Sequence, residues 1–201
     1  MAHFEIDFHD KNSERYMLSG RINQMLRDLE EKFLVAQSVS TGDFLFRDGQ
    51  HSIEDIDKGE WKPFRAGEDF WGYHECYCWF KQTVKIPEEF KGQHVVYKLI
   101  PYERSWNEVN PQFIIFVNGH TVQGGDSNHQ YVTLTECAQG GEELEIAINA
   151  YSDPFEWKGR IQLSAQLQVI DDVAQAIYFD IITPLKVAKY HGEDSDARVN
   201  I

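Results

Sequence analysis

Hydrophobic positions recur at every second residue along most of the middle of the chain, which is the spacing of half-buried β-strands. The clearest run is residues 161–169, where apolar side chains occupy the odd positions and Gln or Ser the even ones. Similar runs predict five more strands, at residues 77–86, 95–100, 113–117, 131–134 and 144–150. The dipeptide Asn118-Gly119, directly after the third of these, favours a tight hairpin turn.

These strand-like runs follow one another without an intervening helical pattern, so we expect antiparallel pairing rather than parallel β–α–β units. The predicted fold class is mainly β: an antiparallel jelly-roll sandwich with flanking N- and C-terminal α-helices. An up-and-down barrel is the alternative, although the long connections after residues 100 and 152 favour a sandwich. Residues 48–75, where glycines alternate with acidic and aromatic side chains, are predicted to form a long ordered loop.

Helical spacing of apolar residues is found at the two ends of the chain. After Ser13, a predicted N-cap, the first stripe consists of Leu18, Ile22, Met25, Leu26, Leu29 and Phe33. The second stripe consists of Ala174, Ile177, Tyr178, Ile181 and Leu185, and its helix is expected to bend or stop at Pro184. We therefore divide the chain into a tail and helix (1–40), a β-sandwich (41–170) and a helical segment leading towards another domain (171–201).

The net charge of −14 changes the list of expected partners. It repels phosphate backbones and anionic membrane surfaces, and no cluster of Lys and Arg offsets it, so neither nucleic acid nor a membrane is a predicted partner. The first residues lack the pattern of a secretory signal, and we expect a cytoplasmic protein. The three cysteines, Cys76, Cys78 and Cys137, fit neither a disulfide framework nor a zinc ribbon, and buried reduced thiols are expected.

Catalytic and cofactor motifs with sharp signatures are absent from the sequence, and no catalytic residue or cofactor is assigned to it. A zinc site at His74, Cys76 and Cys78 would lack a nearby fourth ligand, so no metal site is predicted. The segment 123–129 is the most polar and glycine-rich connection in the predicted sandwich. Its side chains could either bind sugar hydroxyls or simply form a turn. The residues that we single out as candidate glycan or interdomain contacts are Trp71, Asp126, Asn128, His129 and Trp157.

Tryptophan side chains divide between strands and loops in this prediction. Trp79 lies within a predicted strand and is expected in the core, whereas Trp71, Trp106 and Trp157 fall in predicted loops. An exposed indole can stack on a sugar or pack against another domain. We favour the interdomain role, because both end helices carry apolar stripes that need a partner.

Four segments, in this order, resemble the class II α-mannosidases of glycoside hydrolase family 38. Residues 78–87 (CWFKQTVKIP) are similar to that family's W-F-R/K-x-T-V-x-I-P strand, and residues 111–119 (PQFIIFVNG) resemble its P-x-x-L-V-Y-V-N-G segment. Residues 123–129 (QGGDSNH) and 145–151 (EIAINAY) resemble its Q-G-x-D-x-N-H and E-I-x-I-x-A-Y segments. The resemblance, which covers most of the chain, implies a galactose-binding-domain-like fold that precedes the catalytic domain in the bacterial and cytosolic branch.

The same resemblance implies what this chain lacks. In that family, zinc ligands and catalytic carboxylates lie in a downstream α/β domain that opens with G-H-x-H-I-D-x-x-W, and nothing here matches this motif. The chain is therefore expected to be a non-catalytic N-terminal accessory domain whose partner is the missing catalytic domain, with zinc or another divalent metal located there. The alternative function is an autonomous carbohydrate-binding module that recognises an oligosaccharide through residues 126–129.

Overall fold

The computed structural model of the protein describes residues 14–73, 75–103, 111–152 and 161–190. Within these ranges the chain forms ten strands and two long helices. The strands are β1 (Val35–Ser40), β2 (Phe44–Asp48), β3 (Lys62–Phe64), β4 (Cys76–Lys85), β5 (Val95–Glu103), β6 (Gln112–Val117), β7 (His120–Gly125), β8 (Tyr131–Thr135), β9 (Glu143–Ser152) and β10 (Ile161–Ile170). The helices are α1 (Glu14–Asp28), which continues into a π-helical turn (Leu29–Phe33), and α2 (Asp172–Tyr190).

The strands form two antiparallel sheets, which confirms the predicted mainly β sandwich. One sheet has four strands in the order β1-β10-β5-β8, and the other has six in the order β3-β2-β4-β9-β6-β7. The longest pairing runs along β4 and β9, from Cys76 opposite Ser152 to Lys85 opposite Glu143. Because side chains alternate along a strand, each sheet presents one apolar face to the interior.

A single large cluster of buried side chains fills the space between the sheets. The members from the six-stranded sheet are Phe44, Phe64, Cys76, Cys78, Phe80, Val84, Phe113, Ile115, Ile146, Ile148 and Ala150. From the four-stranded sheet the cluster takes Val95, Tyr97, Leu99, Val132, Ile161, Leu163, Ala165, Leu167 and Val169. All six predicted strands contribute to this cluster, so the alternation in the sequence identified the core correctly.

Four strands were missed by the sequence prediction. Three of them, β1, β3 and β7, are edge strands, and β1 and β7 have no buried residue. An edge strand with little buried surface carries no alternation to detect, and Pro63 in β3 is tolerated only because that strand lies at the edge. β3 and the 3₁₀ turn Ile53–Asp55 that precedes it also show that this part of the chain is more regular than the predicted long loop.

The turn after β6 agrees with the prediction. Asn118 and Gly119 have φ angles of 50° and 79°, as a two-residue hairpin turn with both central residues left-handed requires. The Asn118 side-chain oxygen accepts a hydrogen bond from the backbone N–H of Glu145 at 2.9 Å. This bond ties the turn to the neighbouring strand β9.

Two compact units can be distinguished, residues 38–169 and the combined ends of the chain, 1–37 with 170–201. In the second unit α1, the π-helical turn and α2 contact one another, and Leu26, Leu34, Ala174 and Ile182 are buried. Helix α2 continues through Pro184 instead of stopping there, and the predicted cap Ser13 lies outside the described residues. Neither described helix combines the length and the apolar character needed to span a bilayer.

Candidate functional site

The outer face of the six-stranded sheet carries a groove at one end of the sandwich. Its volume is about 590 Å³, and it lies across strands β4, β9, β6 and β7. Its lining residues are Tyr77, Gln112, Phe113, Ile114, Gly124, Gly125, Asp126, His129, Asn149 and Tyr151. Sites for small molecules usually occupy roughly 300–1,000 Å³, so the groove is large enough to be one.

Two tyrosines from neighbouring strands form the floor of the groove. Tyr77 on β4 stands directly opposite Tyr151 on β9, and their ring centroids are 4.7 Å apart with the planes tilted by 40°. Tyr77 keeps 38% of its surface exposed. Both residues alternate with core residues, Cys76 and Cys78 on β4 and Ala150 and Ser152 on β9, which forces their rings outwards.

Two side-chain amides lie beside this aromatic pair. Gln112 on β6 is the register partner of Tyr151, and Asn149, two residues before Tyr151, is the partner of Ile114. Neither amide forms a side-chain hydrogen bond with the described ranges of the chain. Each amide offers donor and acceptor groups to a ligand in the groove.

A short turn held by Asp126 forms the rim of the groove. Its Oδ1 accepts hydrogen bonds from the backbone N–H groups of Asn128 (2.7 Å) and His129 (2.8 Å) and lies 2.9 Å from Nδ1 of the His129 ring. Partial burial opposes ionisation of the carboxyl, but these hydrogen bonds outweigh it and hold the pKa of Asp126 below its usual value. The His129 side chain remains 73% exposed.

The turn is shorter than the predicted connection 123–129. Gln123, Gly124 and Gly125 are the last residues of β7, and only the residues after them leave the sheet. The structure therefore brings Asp126 and His129 to the groove, whereas Asn128 is exposed and does not line it. The sequence analysis missed Tyr77, Gln112, Asn149 and Tyr151, whose outward positions were readable from the alternation but whose proximity depends on strand pairing.

The other half of the same sheet face is covered. Trp79, Phe116 and Ala147 are packed there under Ile56, with Ile53 and Trp61 alongside. The Arg47 guanidinium donates hydrogen bonds to the carbonyls of Asp55 (3.0 Å) and Ile56 (3.3 Å). These bonds fasten the covering segment, residues 49–61, to the sheet. Trp79 is therefore buried as predicted, but in this outer cluster rather than between the two sheets.

Trp71 was predicted as a glycan or interdomain contact, and the structure places it in the sandwich core instead. It is 4% exposed, its ring packs edge-on against Phe80 at 5.4 Å, and its backbone N–H donates to the carbonyl of Ile161 at 2.9 Å. The bridge to β10 draws the indole inwards although the surrounding sequence resembles a loop. The candidate residue Trp157, like Trp106 and His74, lies outside the described residues.

The side chains that line the groove offer an aromatic surface and hydrogen-bonding groups to a ligand. Glycosidases commonly use two carboxyl groups across the scissile bond, and Asp126 is the one carboxylate among the described groove-lining residues. No group of three His, Cys, Asp or Glu side chains in the described parts of the chain is arranged to hold a metal ion. Cys76 and Cys78 are buried free thiols on the core side of β4, as expected. Cys137 was also expected to be buried, but it is a free, exposed thiol, because it lies after the end of β8.

No curated protein matches this chain significantly. Among solved structures, the Faecalibacterium prausnitzii β-glucuronidase is 12% identical over 70% of this chain and 33% of its own, with a TM-score of 0.48. An uncultured Clostridium sp. β-glucuronidase is 12% identical over 67% and 29%, with a TM-score of 0.44. This chain therefore spans a third or less of the length of either enzyme.

The family comparison covers almost the whole sandwich. The model of the family described as "Alpha-mannosidase, jelly roll domain" matches residues 37–167, from β1 to β10. The match includes all four segments that resemble α-mannosidases and both sheets of the observed sandwich. This chain belongs to the family of α-mannosidase jelly-roll domains.

Proposed function

We propose that this chain is the non-catalytic N-terminal accessory domain of a class II α-mannosidase of glycoside hydrolase family 38. The observation that carries the proposal is the family match over residues 37–167. The parent enzyme would hydrolyse terminal α-mannosides in a separate catalytic domain of the same polypeptide. This domain would support the packing of the catalytic domain and shape the approach of the oligosaccharide.

Exposed apolar side chains on the helices support a packing role. On α2, Val173 is 70% exposed and Ile177 is 44% exposed, and their spacing of four residues places them on one helix face. On the N-terminal helical segment, Met25 and Phe33 are 46% and 57% exposed. Several exposed apolar side chains on a helix commonly mark an interface, and we assign these helices to contact with the catalytic domain.

We also propose a metal and a cellular compartment for the parent enzyme. Zinc or another divalent metal would be bound in the catalytic domain, where it would supply Lewis-acid assistance to glycoside cleavage. We place the enzyme in the cytoplasm. The free thiols of Cys76, Cys78 and Cys137 support a reducing compartment.

The first test compares this 201-residue chain with the full-length product of the same gene on an aryl α-mannoside, with added zinc. We expect turnover from the longer protein and none from this chain. Turnover by this chain would overturn the accessory role, because a complete active site would then lie within it.

The second test addresses packing in the longer protein. The double substitution Val173→Ser and Ile177→Ser should lower the melting temperature of the catalytic domain while leaving that of the isolated chain within a few degrees. Leu45→Ser is the matched control, since Leu45 is 43% exposed but lies on β2 of the sandwich. An unchanged catalytic domain in the double variant would contradict the assigned interface.

A further inference from the structure

We propose that the groove on the outer face of the six-stranded sheet binds a neutral pyranose sugar. In this site the Tyr77–Tyr151 pair is the stacking platform, the amides of Gln112 and Asn149 bind hydroxyl groups, and the Asp126 turn forms the rim. This binding activity goes beyond the accessory role and does not depend on it.

The platform matches the shape and chemistry of a sugar ring. A pyranose presents an apolar face of C–H groups and a periphery of hydroxyls, so it binds best where a flat apolar surface is bordered by hydrogen-bonding groups. The paired rings pack against each other, with centroids 4.7 Å apart and planes tilted by 40°, and together present apolar surface to the groove. The pairing of β4 with β9 keeps them in place. A rigid platform loses little conformational entropy when a ligand binds.

The platform is exposed, whereas the neighbouring aromatic side chains on the same face of the sheet are covered. Trp79, two residues along β4 and on the same side of the sheet, is 2% exposed because Ile56 and its neighbours cover it. Tyr77 is 38% exposed in the described structure. The covering segment thus protects the aromatic surface at one end of the sheet and leaves it open at the other, where the polar groups converge.

The polar groups are suited to neutral hydroxyls. Gln112 and Asn149 carry no charge, and each combines an N–H donor with a carbonyl acceptor, as a hydroxyl requires. Asp126 already receives two backbone N–H donors, which hold its carboxylate fixed at the rim. That carboxylate can accept a hydroxyl hydrogen bond through its second oxygen without movement of the turn.

Electrostatics disfavours the anionic members of the sugar class. The described lining contains neither Lys nor Arg, Asp126 is ionised at neutral pH, and the whole chain carries a net charge of −14. A uronic acid or sugar phosphate would be repelled by this field. Neutral sugars are not repelled, so we expect this site to bind neutral sugars more tightly than anionic ones.

The experiment is a ¹H–¹⁵N correlation titration of the 201-residue chain with methyl α-mannopyranoside and methyl α-glucopyranoside. The methyl glycoside of glucuronic acid is the anionic comparison. We expect saturable shifts at the backbone amides of β6, β7 and the Asp126 turn with at least one neutral sugar, and about tenfold weaker binding of the uronic acid.

Substitutions then locate the site. Tyr77→Ala and Tyr151→Ala should each weaken binding about tenfold, which corresponds to the loss of roughly 55 Å² of apolar contact. Asn149→Ala should weaken it severalfold by removing hydrogen bonds. Tyr102→Ala is the matched control, because Tyr102 is 62% exposed on β5 of the other sheet and should leave affinity unchanged.

Three results would contradict the proposal of a sugar site. They are the absence of saturable shifts with both neutral sugars, shifts located outside the groove, and equal effects of Tyr77→Ala and Tyr102→Ala. The packing test above uses α2 variants and a different readout, so failure of the accessory role would not be mistaken for failure of the sugar site.

Discussion

The side-chain amide of Gln82 donates a hydrogen bond to the hydroxyl of Tyr97, and the two residues join the opposite sheets of the sandwich. Gln82 is 6% exposed and Tyr97 is fully buried. Burial raises the pKa of the Tyr97 hydroxyl far above its usual value, so this hydroxyl stays protonated. The pair is a polar link in an otherwise apolar interior, because a buried amide needs a partner.

Removing the Tyr97 hydroxyl is the first stability test. Tyr97→Phe leaves the Gln82 amide buried without that partner and should lower the free energy of unfolding by about 1–3 kcal/mol. The Oε1 atom of Gln82 already lacks a hydrogen-bond partner within the described ranges. The double variant Tyr97→Phe with Gln82→Met should therefore regain part of this loss, measured by urea denaturation. A double variant less stable than Tyr97→Phe would contradict this explanation.

A second prediction concerns the covered half of the outer sheet face. Ile56 is 5% exposed over Trp79 and Phe116, and Ile56→Ala opens a cavity there. We expect a loss of about 2–3 kcal/mol in unfolding free energy and faster proteolysis of residues 49–61. Ile53→Ala, at a partly buried position of the same cluster, should lower the unfolding free energy by less. Equal losses for the two variants would show that Ile56 does not hold the cover.

A third prediction separates backbone strain from crowding at two glycines. Gly67 and Gly72 have φ angles of 73° and 86°, and a Cβ at Gly67 would meet nothing within 4 Å. At Gly72 it would lie 2.9 Å from Cδ1 of the buried Ile161. Gly67→Ala should lower the free energy of unfolding by about 1–2 kcal/mol, because of the left-handed backbone alone. Gly72→Ala should lower it clearly more, because the new Cβ also crowds Ile161. Thermal unfolding of both variants measures the difference, and equal costs would exclude the crowding effect.

A fourth prediction follows from the lowered pKa of Asp126. Because the folded pKa lies below the unfolded value of about 3.9, the ionised carboxylate stabilises the fold above that value. This contribution is lost as the pH falls through the folded pKa. Asp126→Asn should therefore destabilise the domain by about 1 kcal/mol near neutral pH and by progressively less in acid.

Urea denaturation of this variant at several pH values checks the trend. His129→Gln is the control, since it removes the ring contact at 2.9 Å but keeps both backbone N–H donors to Asp126. Its stability should retain the acid dependence of the unmodified protein. A pH-independent effect of Asp126→Asn would contradict the assigned role of the carboxylate.

Local patterns in the sequence were sufficient to predict the strands and helices that bury one face. The alternation at residues 161–169 identified β10, and the helical stripes identified α1 and α2, because burial of a regular element imposes its period on the sequence. Ordered motifs identified the α-mannosidase resemblance, which the family match confirmed. The edge strands β1, β3 and β7 were not predicted, because they bury too few side chains to produce such a pattern.

The groove depended on relationships that no local pattern contains. Tyr77 and Tyr151 are 74 positions apart in sequence, and only the pairing of β4 with β9 places their rings together. Trp71 was predicted as a contact from its loop-like surroundings, yet its backbone bridge to Ile161 turns it into the core. The sequence by itself determined six of the ten described strands, the inward-facing residues of β10 and the family to which the sandwich belongs. The tertiary structure decided which outward residues meet and which are covered, because long-range strand pairing and the path of residues 49–61 set both.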